Sequence, residues 1–223
     1  MLDIFDILGP VMIGPSSSHT AGAARIGAMA RTLLGAPPVK AAIHLYGSFA
    51  ETGSGHGTDR ALVGGLLGMK PDDPRLPNAF EEAKKAGLTY TIDEIKLRDA
   101  HPNTAVIEAW SADGKDLVMQ ASSLGGGRIM VVEMNGLRAN FSGDLPTLIV
   151  QNIDQPGHVN EVTGMLTERG INIATMQLYR DHPGGNAVMI IETDKAVPPD
   201  GLAWLERCEG ITRVTFIDAE REE

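Results

Sequence analysis

Apolar residues near the start of the chain recur at helical spacing. This spacing predicts a helix from Ser18 to Leu34 that Gly35 ends, because an apolar stripe with a period of about 3.6 residues marks a helix that buries one face. The stripe consists of Ile26, Met29, Ala30, Leu33 and Leu34.

Shorter patterns follow this helix. The apolar run 40–49 predicts a strand, the glycine-rich run 53–59 (GSGHGTD) a loop, and the run 60–68 (RALVGGLLG) a helix. A polar stretch broken by prolines comes next, and the run 81–87 (EEAKKAG) predicts a short surface helix.

From Thr104 the apolar positions alternate, as in strands with one buried face. Asp113-Gly114 and Asn135-Gly136 separate alternating runs and predict tight hairpin turns. We therefore expect an α+β first domain with an antiparallel portion, spanning residues 1–143 and ending in a polar join. The predicted strands cover 104–111, 116–122, 128–134 and 137–141.

The last part of the chain is predicted as a second domain over residues 146–223. Its strands and helices follow the order βαββαβ, which fits a ferredoxin-like sandwich with two helices on one face of a four-stranded sheet. The first helix of this domain presents an apolar face made of Val159, Val162, Met165 and Leu166.

The net charge of the chain excludes some classes of binding partner. A net charge of -10 and a pI near 5.0 leave no basic face for phosphates, so we expect binding neither to nucleic acid nor to anionic membranes. Asp3 and Asp6 stand where a signal peptide carries positive charge, and the apolar runs fall short of the ~20 residues that span a bilayer. The composition predicts a cytoplasmic protein.

The chain has one cysteine, Cys208. The chain therefore cannot form an internal disulfide, and a single thiolate cannot by itself build a zinc or iron-sulfur site. We therefore assign no metal ligand to this chain.

The run 147–194 of the last domain resembles ACT domains, regulatory modules that usually bind amino acids. Pro156 and Gly157 turn the strand sharply into the helix, whose free N–H groups suit a carboxylate. Asp154 is then a candidate for an ammonium group and Asn160 for a hydrogen bond, although Asp154 could equally cap the helix and Asn160 lie on the surface. The resemblance implies an amino-acid effector at these four residues, and a homo-oligomer through paired ACT domains.

The row GPSSSHT at residues 14–20 is the densest polar stretch near a predicted helix end. Ser17 or Ser18 can serve as the N-cap, with the other hydroxyls satisfying first-turn amides. Capping does not account for the histidine. A second interpretation is therefore an anion site at the helix N-terminus, in which His19 acts as proton donor, acceptor or orienting group.

Two more segments carry a histidine beside glycines or hydroxyls. In GHGTD, His56 lies between glycines before a helix that Thr58 or Asp59 can cap. HPNT at residues 101–104 reads equally as an ordinary turn, and SSLGGG as a bulge. The spacing does not show that these segments meet.

The chain resembles the beta chain of the bacterial iron-sulfur-dependent L-serine dehydratases over essentially its whole length. The resemblance lies in the motifs SSSHTAGAARIG, GSFAETGSGHGTD, HPNT and SLGGG taken together. The resemblance implies that L-serine is deaminated to pyruvate and ammonia, the reaction of an L-serine ammonia-lyase. It implies a 4Fe-4S cluster as Lewis acid in place of pyridoxal phosphate. Since this chain has one cysteine, the cluster is expected on a cysteine-bearing alpha subunit.

On this basis we expect the chain to contribute the mouth of an active site. The residues expected in catalysis are Ser18, His19, Thr20 and His56, and those expected to bind substrate are Ser16, Ser17, Gly57, Thr58, Asp59, His101 and Asn103.

Three alternatives remain open at this point. The first domain also resembles a regulatory domain of some D-3-phosphoglycerate dehydrogenases, in which case the pocket is an allosteric serine site. The chain could instead be a stand-alone amino-acid sensor without catalytic activity. A metal-dependent hydrolase using His19, His56 and His101 is the third.

Overall fold

The computed structural model describes residues 11–219, and the chain divides into two compact units, Met1–Asn135 and Gly136–Glu223. The sequence argument from Asp3 and Asp6 lies outside the described residues. No helix within residues 11–219 is long and apolar enough to cross a bilayer.

The first element that the structure describes is a π-helical turn, Ser17–Gly22, which continues into the helix Ala23–Leu34. Both were predicted as one helix, but its first turn is wound more widely than an α-helix. The helices are α1 (Ala23–Leu34), α2 (Ser48–His56), α3 (Thr58–Leu66) and α4 (Ala79–Ala86), with a 3-10 turn at Leu76–Asn78.

The sheet of the first unit is mixed. Its strands lie in the order β2-β1-β3-β4-β5, where β1 pairs with β2 in parallel and the remaining neighbours are antiparallel. Their bounds are β1 (Pro38–Tyr46), β2 (Thr89–Glu94), β3 (Thr104–Ser111), β4 (Asp116–Gly125) and β5 (Arg128–Met134). The α+β class with an antiparallel portion is confirmed.

Two local predictions for this unit are wrong. The run GSGHGTD is not a loop, because α2 continues through it to His56 and only Gly57, at a φ of 72°, separates α2 from α3. Ser48 and Phe49 belong to this helix rather than to the preceding strand. Strand β2 was not predicted, since it lies at the edge of the sheet with both faces largely polar.

The second unit contains the predicted βαββαβ order, preceded by β6 (Leu137–Phe141). Its antiparallel sheet has the strand order β10-β7-β9-β8, the arrangement of a ferredoxin-like sandwich. Val162, Met165 and Leu166 are buried in its core, but Val159 is 41% exposed, which corrects the predicted face. The elements are β7 (Thr147–Ile153), α5 (His158–Glu168), β8 (Ile173–Arg180), β9 (Asn186–Thr193), α6 (Pro199–Leu205) and β10 (Ile211–Ile217).

Helices α1 and α3 pack with their backbones in contact. A Cβ added at Gly27 would overlap the carbonyl oxygen of Leu62, and one at Gly65 would overlap that of Ala24. Farther along, Arg31 Nη1 donates to the carbonyl oxygen of Leu66 at 3.1 Å. The two helices therefore run in parallel, with their N-terminal ends at the same end of the pair.

Gly65→Ala should destabilise the chain by about 3 kcal/mol, because the new methyl group meets backbone that no rotamer change can move away. Thermal unfolding followed by circular dichroism measures the effect. The matched control is Gly55→Ala in α2, where a Cβ meets nothing within 4 Å and helix propensity favours alanine. Equal melting temperatures for the two variants would contradict this packing.

Candidate functional site

The site is built around the π-helical turn Ser17–Gly22, which leads into α1. Ser16 is its N-cap, with a φ of -140°, and the Ser16 hydroxyl accepts a hydrogen bond from the backbone N–H of His19 at 3.2 Å. The predicted cap at Ser17 or Ser18 is therefore displaced by one or two residues. The capping requirement accounts for one serine of the three, which leaves the other two hydroxyls available for other contacts.

His19 is held by hydroxyl groups at both ring nitrogens. Its Nδ1 lies 3.1 Å from Ser18 Oγ and 3.4 Å from Ser16 Oγ. Its Nε2 lies 3.1 Å from the hydroxyl of Ser48, the first residue of α2. The edge of the ring also packs on the buried Phe49, with 5.3 Å between ring centroids. The imidazole is consequently held in one orientation from three directions.

His56 stands beside His19. The two ring centroids are 5.2 Å apart with the planes tilted by 52°, so the rings are in contact without being stacked. His56 is exposed and ends α2, and its carbonyl oxygen accepts a hydrogen bond from Thr20 Oγ1 at 3.4 Å. The structure thus brings the motifs SSSHT and GHGTD together, leaving one imidazole held and the other open to solvent.

Burial lowers the pKa of His19 below its usual value of 6.5. A hydrogen bond with the Ser48 backbone opposes this shift, and the neighbouring His56 adds to it. The lowered pKa favours the neutral imidazole, which has one N–H donor and one acceptor nitrogen for its hydroxyl partners.

Two helix N-terminal ends meet at this site. Since α1 and α3 run in parallel, the turn that carries His19 lies beside the start of α3, which Gly57 separates from His56. Each N-terminus presents unsatisfied N–H groups and the positive end of a helix dipole. The positive ends of these two dipoles favour a negatively charged ligand such as a carboxylate, whereas α2, which ends at His56, brings the negative end of its dipole to the same junction.

The glycine run is the β4–β5 hairpin turn, and it lies against the same π-helical turn. The N–H of Gly126 donates to Ser17 Oγ at 3.3 Å, and Arg25 Nη1 donates to the carbonyl oxygen of Gly127 at 3.1 Å. All three glycines have a positive φ, between 62° and 86°, which explains why larger residues do not stand there. Arg25, which no motif argument singled out, ties this turn to α1.

The HPNT segment forms a turn that uses its own polar groups. His101 Nδ1 accepts from the N–H of Asn103 at 3.1 Å, and the carbonyl oxygen of His101 accepts from Thr104 Oγ1 at 2.6 Å. The carbonyl oxygen of Pro102 accepts from the N–H of Phe49 at 3.4 Å. This turn therefore meets the site through the start of α2, beside Ser48.

The remaining predicted binding residues surround the α2–α3 junction. Gly57 is the N-cap of α3 without a side-chain hydrogen bond, so neither Thr58 nor Asp59 caps this helix as predicted. Thr58 is fully buried, and its hydroxyl has no hydrogen-bond partner among the described residues. Asp59 instead accepts from the N–H of Arg60 at 2.8 Å.

Ser48 is the site residue that sequence reasoning missed. Its run was predicted as the end of a strand, where a serine after a glycine looks like ordinary turn chemistry. The available signal was Gly47, which has a φ of 58° and precedes a helix rather than a hairpin.

The predicted effector residues of the second unit lie where β7 leads into α5. Asp154 does not cap this helix; it accepts from Arg180 Nη1 at 2.8 Å and from the N–H of Gly184 at 3.1 Å. The Gly184 hydrogen bond, followed by that of Arg180, lowers the pKa of Asp154. Gly157, with a φ of 114°, is the N-cap, and Pro156 and Asn160 are exposed. Arg180 was missed because it lies on another strand.

The described residues hold no group of three or more His, Cys, Asp and Glu side chains arranged for a metal ion. Cys208 is half-buried, and burial raises the pKa of its thiol, with the Glu161 carboxylate adding to the effect. An iron-sulfur cluster needs several thiolates, so the residues of this chain do not fit one.

Comparison with known proteins finds a family match for each of the two units. Residues 1–92 match the family model described as the serine dehydratase beta chain, and residues 147–210 match that of the ACT domain. The fold and these matches define the class: an α+β domain of the serine dehydratase type followed by an ACT domain.

Similarity to individual proteins extends over nearly the whole chain. It is 42% identical to a probable L-serine dehydratase beta chain from Bacillus subtilis (strain 168) and 39% identical to an L-serine dehydratase beta chain from Peptoniphilus asaccharolyticus, covering 96% of this chain and 97% of each relative. A D-3-phosphoglycerate dehydrogenase from Bacillus subtilis (strain 168) is 25% identical over 88% of this chain and 37% of its own length. The chain belongs to the family of L-serine dehydratase beta chains, which confirms the resemblance drawn from the motifs.

The lowered pKa of His19 has a measurable consequence. Its ring protons should titrate in NMR spectra of the full chain with a midpoint below 6.5. Because the unfolded chain takes up this proton first, the contribution of His19 to stability should fall as the pH drops from about 6.5 towards the folded-state pKa. The His19→Ala spectrum assigns the resonance. A midpoint at or above 6.5 would contradict the lowering of this pKa by partial burial.

Proposed function

We propose that this chain is the beta subunit of an L-serine ammonia-lyase and that its two histidines form part of the active-site mouth. The reaction removes the alpha proton and the hydroxyl of L-serine as water, and the resulting aminoacrylate is hydrolysed to pyruvate and ammonia. The observation that carries the proposal is the pair of imidazoles at the meeting of two helix N-terminal ends. Membership of the beta-chain family supports it.

In this proposal the substrate carboxylate lies at the two helix ends. The first-turn amides and the hydroxyls of Ser16, Ser17 and Ser18 bind it, because these groups donate hydrogen bonds in a field that favours negative charge. Gly57 leaves room beside His56, since it has no side chain and separates two helices. The remaining proposed binding residues are Thr58, Asp59, His101 and Asn103.

The two histidines have different roles. His19 is neutral and bonded at both nitrogens, so it orients hydroxyl groups towards the substrate. His56 is exposed beside it, which suits an imidazole that exchanges a proton with substrate or with the leaving water. Thr20 links the two segments through its bond to the His56 carbonyl. The base that takes the alpha proton is not assigned to this chain.

The proposal requires a second polypeptide. Since the single cysteine of this chain cannot ligate a 4Fe-4S cluster, the cluster belongs to a cysteine-bearing alpha subunit that closes the site from the other side. The net charge and the single unpaired thiol suit a cytoplasmic enzyme.

For the second unit we propose an amino-acid effector at Asp154, Pro156, Gly157 and Asn160, and homo-oligomers formed by pairing of ACT domains. Asp154 is already bonded to Arg180. An ammonium group of the effector therefore either shares this carboxylate with Arg180 or displaces it.

A second function for the first-unit pocket is allosteric serine binding. The similarity to D-3-phosphoglycerate dehydrogenases, which are different enzymes, favours it. In that case the two histidines change the serine concentration needed for activity rather than the maximal rate.

Turnover should separate the two functions. In the complex with the alpha subunit, reconstituted without oxygen, His19→Ala and His56→Ala should each lower kcat for pyruvate formation by about 100-fold, a typical loss for a proton-transfer or orienting group. Cluster absorbance should be unchanged.

The control is His44→Ala, which removes an imidazole that bonds to Asp93 on the sheet of the same unit and takes no part in the site. It should keep full turnover. If both site variants keep wild-type kcat and shift only the half-saturating serine concentration, the pocket is allosteric.

A further inference from the structure

Ser48 connects the two segments that carry the histidines. Its hydroxyl lies 3.1 Å from Nε2 of His19, although the two residues are 29 positions apart. We infer that Ser48 is a positioning residue, which holds the tautomer and orientation of the His19 ring, and that the HPNT turn acts on the site through Ser48. The inference deepens the proposed function and rests on the role given there to His19.

The position of Ser48 is set by its neighbours on both sides. Gly47 has a φ of 58° and a ψ of -128°, and a Cβ there would lie 2.7 Å from the carbonyl oxygen of Pro102. Phe49 is fully buried and donates its N–H to that same carbonyl. The first residue of α2 thus lies between two residues, Gly47 and Phe49, whose backbones both contact the HPNT turn.

The HPNT turn is itself anchored to the sheet. The carbonyl oxygen of Asn103 accepts from the N–H of Ser123 at 2.9 Å, and Thr104 Oγ1 lies 2.7 Å from Ser122 Oγ, both of these hydroxyls being buried. A buried hydroxyl pair of this kind resists displacement, because breaking it leaves a polar group without a partner. The position of strand β4 therefore fixes the position of the turn, and this turn fixes that of Ser48.

Ser48 completes the set of hydroxyls around His19. A neutral imidazole has one donor and one acceptor nitrogen, while a hydroxyl can fill either role. Nδ1 has the hydroxyls of Ser18 and Ser16, whereas Nε2 has that of Ser48. Loss of the Ser48 hydroxyl leaves His19 with the hydrogen bond to the Ser48 backbone, which differs from a hydroxyl in that it cannot exchange donor and acceptor roles, so the balance between the two tautomers changes.

This arrangement also gives the HPNT motif a function other than direct binding. His101 and Asn103 are hydrogen-bonded within their own turn, whose carbonyl at Pro102 faces the start of α2. The contribution of the motif would then be the shape of a turn, and its effect on the reaction would be exerted through the Ser48 hydroxyl.

The ring nitrogens of His19 report directly on this contact. In the full chain labelled with 15N-histidine, Ser48→Ala should shift the Nε2 resonance of His19 and alter its tautomer ratio, while Ser48→Thr, which retains the hydroxyl, should preserve the wild-type spectrum. The control is Thr32→Ala, which removes an exposed hydroxyl from α1. An unchanged His19 spectrum in Ser48→Ala would overturn the inference.

Kinetics of the reconstituted complex give the second readout. Ser48→Ala should lower kcat about tenfold with little change in KM, the effect of losing one hydrogen bond to an orienting group, and Ser48→Thr should restore most of it. Wild-type kcat in Ser48→Ala, when His19→Ala is impaired, would also overturn the inference. If the His19 spectrum changes in Ser48→Ala but Ser48→Ala and His19→Ala both keep wild-type kcat, positioning by Ser48 stands and the catalytic function proposed for His19 fails.

Discussion

The close packing of α1 against α3 determines the geometry of the first unit. Gly27 and Gly65 remove the side chains that would otherwise separate the two helices, so that backbone meets backbone. Helices joined this closely have little freedom to slide, because each interpenetrates the groove of the other. Their parallel direction then places the turn before α1 beside the junction before α3, and these are the two places where His19 and His56 stand.

The electrostatic character of the site follows from the same packing. Two helix N-terminal ends supply positive potential without a charged side chain, and in the proposed function this potential binds the carboxylate of serine. The hydroxyls around His19 carry no charge, and partial burial lowers the pKa of the half-buried imidazole, which favours its neutral form. The chain thereby offers a site of many hydrogen bonds and little net charge, and the proposed partner subunit would supply the metal chemistry.

The sequence predicted most of the secondary structure but misjudged the segment 48–59. The glycines of GSGHGTD indicate a loop by their composition, yet α2 runs through them because Phe49 and the neighbouring helices bury one side of it. For the same reason Ser48 was missed: its role depends on Pro102, which approaches from a different part of the chain. In the second unit the salt bridge from Asp154 to Arg180 was missed since the two residues lie on separate elements.

The sequence alone determined the order of elements, the family and the absence of enough thiolates for a cluster, because these depend on periodicity, on local motifs and on a count of one cysteine. Only the tertiary structure decided which polar groups meet. Ser16 rather than Ser17 or Ser18 is the cap, His19 is bonded at both nitrogens, and the HPNT turn supports the start of α2. Such contacts depend on distances between residues far apart in the chain, which helix packing sets and which local sequence does not encode.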